Sequence, residues 1–142
     1  MKKFLFCILL ILCFPFVSFA LNEYGQFYKG DPNFPIIYGH MGQGYYLDKS
    51  SAVILKNDAQ GLIFAINILS VNIDKNLDNF KVTTCKFYKP SSTDVYTVYE
   101  KIGSAQTWTP LDLADTHGSN LYSREAFLKG WEAATGFSYG LQ

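Results

Sequence analysis

The chain has no excess of charge of either sign and few charged residues. Its 142 residues include 12 basic and 12 acidic side chains, so the formal net charge is zero, and charged residues make up 17% of the sequence. Without a basic excess there is no general electrostatic footprint for nucleic acid. A hydrophobic content of 49% also excludes a disordered or collagen-like chain. A length of this order predicts a single domain.

Cysteine is scarce as well, and two of the three cysteines lie within the first 20 residues. There Lys2 and Lys3 precede an apolar run that ends near the small residues Ser18 and Ala20. This layout predicts a secretory signal peptide over residues 1–20, cleaved after Ala20. The run is too short for a membrane anchor, which needs about 18 to 20 apolar residues, so no membrane span is expected after cleavage. We therefore predict a secreted or periplasmic protein.

Removal of the signal peptide leaves Cys85 as the only cysteine. One cysteine cannot form an intrachain disulfide, so the fold has to rely on core packing. Lipid attachment at Cys13 is an alternative, which would place the protein at the cell surface. The bulky Leu12 stands before it, where lipoprotein signals carry Gly or Ala, so a soluble exported product is favoured.

The sequence pattern of the mature chain is typical of a β-rich domain. Residues 21–44 are rich in glycine and proline and are predicted to be irregular apart from a short strand over 36–38, whereas residues 45–142 are predicted to form one β-rich domain. Further strands are predicted over 45–47, 52–56, 62–73, 80–88, 95–100 and 105–109. Their short connections favour antiparallel neighbours.

Only residues 123–135 have the residue spacing of an amphipathic helix. Ser123 is the expected N-cap, and Phe127 and Trp131 lie on the apolar stripe. The predicted fold class is therefore α+β: an antiparallel meander sheet of five or six strands with one C-terminal helix packed on a face. In the longest apolar stretch, residues 62–73, apolar side chains occupy even-numbered positions at first and odd-numbered positions after about residue 70. That switch predicts either a bulge or a strand covered on both faces.

Two polar clusters are candidate metal or catalytic sites. Asp74, Asn76 and Asp78 match the first ligand positions of a calcium loop. The glycine and glutamate that such a loop needs at its sixth and twelfth positions are replaced by Asn79 and Cys85, which favours a hairpin turn. No cofactor is expected. Asp112, Asp115 and the nearby His117 could hold a metal if another ligand folded in, although a solvated loop explains them as well.

The remaining indication of function is the abundance of tyrosine, with ten in the chain. Tyr45 and Tyr46 lie in the cluster near the start of the β-rich domain, and Tyr96 and Tyr99 fall on opposite faces of one predicted strand. Tyrosine is enriched where an apolar surface meets water, as at interfaces. These four residues are the candidate binding residues.

Three segments resemble small secreted bacterial proteins of the surface-adhesin protein E type: residues 44–51, the apolar strand 62–72 and the strand 85–88. The resemblance extends over about residues 44–139. It implies an antiparallel sheet with a C-terminal helix and a non-enzymatic binding or adhesion role in a bacterial envelope, toward a host matrix protein such as vitronectin or laminin. A cell-wall glycan is a further expected partner, and a small secreted hydrolase or metal-dependent enzyme using residues 112–117 is the alternative function.

Overall fold

The computed structural model describes residues 24–92 and 94–141, so the predicted signal peptide lies outside the described residues. The fold consists of one antiparallel sheet and one long α-helix. The strands are β1 (Ile36–His40), β2 (Gln43–Asp58), β3 (Gly61–Asn72), β4 (Phe80–Pro90), β5 (Thr97–Ile102) and β6 (Thr109–Asp112), and the helix is α1 (Gly118–Thr135). They lie in the sheet in chain order, each paired antiparallel with the next. The predicted α+β meander is confirmed.

Strand β2 is one long strand where the sequence predicted two short ones. The polar link between them is a bulge, because Asp48 pairs with Asn67 while Val53 already pairs with Ala65. The Ser51 hydroxyl accepts the N–H of Asn67 at 2.8 Å, so a side chain replaces the missing backbone partner. Side-chain oxygens of this kind compete well with backbone acceptors, which is why the polar link bends the strand without ending it.

The C-terminal boundaries also differ from the predictions. Strand β6 begins at Thr109 and not at residue 105, so the prediction of a strand over 105–109 is wrong. Helix α1 begins at Gly118, and the predicted N-cap Ser123 is buried within the helix. The Asn120 amide donates to the carbonyl groups of Asp112 at 2.6 Å and Asp115 at 2.9 Å. A side chain inside the first turn thus ties the helix to the preceding loop.

The face of the sheet that carries α1, here called the helix face, holds the larger buried cluster. Phe64 on β3 and Phe87 on β4 are fully buried and meet Phe127 of the helix, with ring centroids 5.8 and 5.6 Å apart. Ile66 and Ile68 extend the same cluster along β3. The prediction that the C-terminal helix packs on one face is therefore confirmed.

The opposite face, here called the outer face, holds a smaller buried cluster. Leu69 and Val71 of β3 pack there with Tyr46 of β2 and with Tyr28 from a 3-10 turn, Tyr28–Gly30, in the N-terminal segment. Strand β3 is thus covered on both faces at this end. Its pairing with β4 runs without a register shift, so the parity switch reflects double coverage and not a bulge in β3.

Candidate functional site

Three aromatic side chains lie together on the outer face, at the end of the sheet opposite the one that Tyr28 covers. Tyr88 of β4 pairs with Tyr99 of β5, and their rings stack with centroids 6.0 Å apart and 25° between the planes. The indole of Trp108 lies 5.9 Å from the Tyr88 ring. All three side chains are partly exposed, and none belongs to either buried cluster.

Two lysines lie beside these rings. Lys86 on β4 lies directly opposite Lys101 on β5. Two residues along each strand, on the same face, Tyr88 lies opposite Tyr99. The Lys101 ammonium lies 4.9 Å from the centroid of Trp108, a cation–π contact. Among the residues that the structure describes, neither lysine forms an ion pair. The outer aromatic surface is defined as these five residues: Tyr88, Tyr99, Trp108, Lys86 and Lys101.

Strand alternation and one tight turn position this surface. Successive β5 side chains point to opposite faces, so Val98 is buried under α1 while Tyr99 faces outward. The chain then turns through Gly103, whose φ of 58° is in the region that favours glycine. Its N–H donates to the carbonyl of Thr84 at 2.9 Å, which anchors the turn to β4. The chain thereby returns Trp108 to the outer face beside Lys101.

A second aromatic site is a cavity of about 420 Å³ between the first turns of α1 and the sheet. Three tyrosines line it: the rings of Tyr45 and Tyr122 meet edge to face at 5.1 Å, and Tyr38 lies 6.0 Å from Tyr45. The hydroxyl groups of Thr83 and Ser119 complete the polar part of its wall. This cavity is here called the tyrosine pocket.

Next to the tyrosine pocket lies a set of ionisable groups whose pKa values are raised by burial. Burial raises the pKa of the Cys85 thiol to about 12, with a hydrogen bond to Tyr122 acting in the opposite direction. Burial also raises the pKa of Tyr122 and that of Glu100, for which a hydrogen bond from Ser123 acts the other way. A thiol kept protonated is a poor nucleophile, so Cys85 is suited to packing and not to attack on a substrate.

The four tyrosines singled out from the sequence lie in three places. Tyr45 lines the tyrosine pocket, whereas its neighbour Tyr46 is buried on the outer face and donates its hydroxyl to the carbonyl of Tyr24. Tyr99 belongs to the outer aromatic surface. Tyr96 precedes β5, so the expectation that it shares a strand with Tyr99 is wrong. Its backbone N–H donates to the Asp94 carboxylate at 2.8 Å.

Sequence reasoning missed Tyr88 and Trp108. Tyr88 has a signal in the sequence, because Lys86 and Tyr88 alternate with Cys85 and Phe87 along one strand. That alternation predicts an outward-facing basic and aromatic pair. The wrongly placed last strand hid Trp108, which is presented by the turn before β6.

The calcium-like residues form a structural turn between β3 and β4. The Asn76 side-chain oxygen accepts the N–H of Asp78 at 2.8 Å, and the Asp78 carboxylate forms an ion pair with Lys29 of the N-terminal segment. The Tyr28 hydroxyl donates to the carbonyl of Leu77 in the same turn. Asp74 is exposed there. These contacts tie the turn to the segment that covers the outer face.

The second polar cluster forms the approach to α1. The Asp112 carboxylate accepts the N–H of Ala114 at 2.8 Å, and that of Asp115 accepts the N–H of His117 at 3.0 Å. The His117 imidazole is 91% exposed. Over residues 24–92 and 94–141, no group of three or more His, Cys, Asp or Glu side chains is placed to hold a metal ion.

Comparison with known proteins returns no relationship: no protein-family model, curated protein or solved structure matches the chain. The resemblance to the protein E type therefore stays a prediction. No helix in the described part of the chain is both long and apolar enough to cross a bilayer.

Proposed function

We propose that this chain is an exported, non-enzymatic binding module of a bacterial envelope that contacts its partner through the outer aromatic surface. The observation that carries the proposal is the grouping of Tyr88, Tyr99 and Trp108 on an open face, with no role in either buried cluster. Tyrosine and tryptophan are the side chains most enriched at energetically important contacts, because they offer large area at low entropic cost. Signal-peptide export would present this face to an extracellular or periplasmic partner.

The enzyme alternative is less well supported by the geometry of its own residues. Asp112 and Asp115 use their carboxylates to accept backbone N–H groups in tight turns. The His117 imidazole lies 3.1 Å from the Asp115 carboxylate, but it is 91% exposed. Catalytic acid and base groups usually converge on one pocket, whereas Asp112 lines a groove beside Tyr99 that Asp115 and His117 do not line. A turn before a helix explains this cluster without a reaction.

The proposal is tested with the exported chain on immobilised vitronectin, laminin and purified cell-wall glycans. We expect binding to at least one of them, and we expect Tyr99→Ala to weaken it by about tenfold or more, as truncation of a central aromatic contact does. Phe137→Ala is the matched control, because that side chain is 76% exposed and distant in sequence from the surface. Absence of binding across the whole panel would contradict the proposal, as would equal binding by the Tyr99 variant.

A further inference from the structure

The outer aromatic surface is also a local concentration of positive charge in a chain whose formal net charge is zero. Lys86 and Lys101 are a directly opposed cross-strand pair on one face. Like charges directly opposite each other on neighbouring strands destabilise a sheet. The fold therefore places two lysines opposite each other at a cost to its own stability.

Asp94 and Asp112 lie around one groove with Tyr99, beyond the Tyr99 end of the surface. Among the described residues, neither forms an ion pair with Lys86 or Lys101. The residue opposite Lys86 on β3 is Ala65, and Glu100 of β5 lies on the helix face, paired with Phe87. Asp58 at the end of β2 is already paired with Lys56 at 3.0 Å. Within the described residues, the positive charge of Lys86 and Lys101 is left without a carboxylate partner.

Extending the proposed function, on which this inference rests, we propose that the partner of the outer aromatic surface is an acidic polysaccharide whose sugar rings carry carboxylate or sulfate groups. The C–H faces of sugar rings pack on aromatic side chains, and their hydroxyl groups hydrogen-bond with tyrosine hydroxyls, which Tyr88 and Tyr99 offer. The acidic groups of successive sugars pair with Lys86 and Lys101. Tyr88 uses its own proton toward the carbonyl of Gln60 at 3.1 Å, so its oxygen is available as an acceptor for a sugar hydroxyl.

Charge complementarity selects this partner over others. A nucleic acid strand is held mainly by many phosphate contacts, whereas the outer aromatic surface offers two lysines and the chain has no excess of positive charge. Neutral glycans carry no charge to pair with either ammonium group, although that of Lys101 also donates to the carbonyl of Gln106 at 2.7 Å. Because exposed ion pairs are individually weak and screened by salt, binding requires rings and charges together and weakens as salt is added.

The test compares four probes on the full exported chain: heparin as a sulfated glycan, polygalacturonate as a carboxylated one, neutral dextran, and poly-glutamate as an acidic peptide. We expect binding to one or both acidic glycans, loss of most of it in about 0.5 M NaCl, and none to dextran. The double variant Lys86→Gln with Lys101→Gln is expected to weaken binding by about tenfold or more, since two pairs are lost. It removes a repulsion, so it is expected to fold as well as the parent chain.

The matched control is Lys75→Gln with Lys81→Gln, which removes the same charge from exposed positions at the other end of β4 and its preceding turn. Equal weakening by the control, or equal binding to poly-glutamate, would overturn the acidic-glycan partner. Salt-insensitive binding to dextran or to a matrix protein through Tyr99 would overturn it while leaving the binding module intact. Binding to nothing, in these probes and the panel above, would overturn both.

Discussion

Gly130 of α1 lies directly against the ring of Phe64 on β3. A Cβ atom added at residue 130 would come 2.9 Å from Cε2 of Phe64 and 3.3 Å from Cγ2 of Ile66, both on the helix face of the sheet. The close approach of helix and sheet at this point therefore depends on the absence of a side chain.

We expect Gly130→Ala to destabilise the protein by about 1 to 3 kcal/mol, because the extra methyl group would force the helix away from a packed sheet. Helix propensity alone predicts the opposite sign, a gain of about 1 kcal/mol. Denaturant midpoints measure the outcome. Gly140→Ala is the control, since nothing lies within 4 Å of its Cβ position. A Gly130 variant more stable than the parent would show that the helix does not pack this closely.

Phe127 is the fully buried aromatic of α1 and contacts the rings of Phe64, Phe87 and Tyr139. Its truncation to alanine is expected to lower the free energy of unfolding by about 3 to 5 kcal/mol, through lost burial and the cavity left behind. Urea unfolding followed by circular dichroism measures this. Phe137→Ala, at a position 76% exposed, should change the midpoint little. Similar losses in both variants would contradict the assignment of the core.

Glu100 makes stability depend on pH. Burial raises the pKa of its carboxyl above the unfolded value of 4.5, and within the described residues its Oε2 is buried without a hydrogen-bond partner. The folded state therefore binds the proton more tightly than the unfolded state. Its contribution to stability is fully present below the unfolded pKa and is lost as the pH rises through the folded pKa.

Accordingly, Glu100→Gln should lose less stability than the parent chain between about pH 4 and pH 8, since the variant has no proton to release there. Unfolding midpoints at both pH values give the comparison. Glu132→Gln serves as the control because that side chain is exposed on α1. The explanation fails if parent and Glu100 variant show the same difference between the two pH values.

Cys85 is 1% exposed, and its thiol pKa of about 12 leaves about a thousandfold less thiolate near neutral pH than a free cysteine would have. We expect a thiol reagent to leave the native protein unlabelled over hours and to label it within minutes in denaturant. Labelling across a urea series should follow the global unfolding transition. Rapid labelling of the native protein would mean that the site near Tyr122 opens locally or that Cys85 is activated.

The sheet order and the covering helix could be predicted from local patterns, because short connections and apolar periodicity determine both. The double coverage of β3 was visible as a parity switch, but the choice between coverage and a bulge depended on Tyr28, far away in sequence. The start of α1 was missed because His117 caps it without a side-chain hydrogen bond, so the usual N-cap signal is absent.

The candidate site was only partly predictable, for a related reason. Tyr99 stood out by its residue type, but its neighbour Tyr88 is set by the β4–β5 register and Trp108 by the path of the turn before β6. Registers and turn paths are decided by the whole sheet and not by one segment. Tyr45 and Tyr46 show the same limit, since adjacent strand residues lie on opposite faces and only packing decides which face is buried.

The most direct test of the proposed binding face is a chemical-shift map of the backbone amides during titration with an acidic glycan. We expect shifts to concentrate at residues 86–88, 99–101 and 106–108 and to be absent around the tyrosine pocket. We expect Tyr99→Ala to require about tenfold or more glycan for the same shifts without altering the rest of the spectrum. Shifts centred on Tyr38, Tyr45 and Tyr122, or spread evenly over exposed lysines, would contradict the proposed binding face.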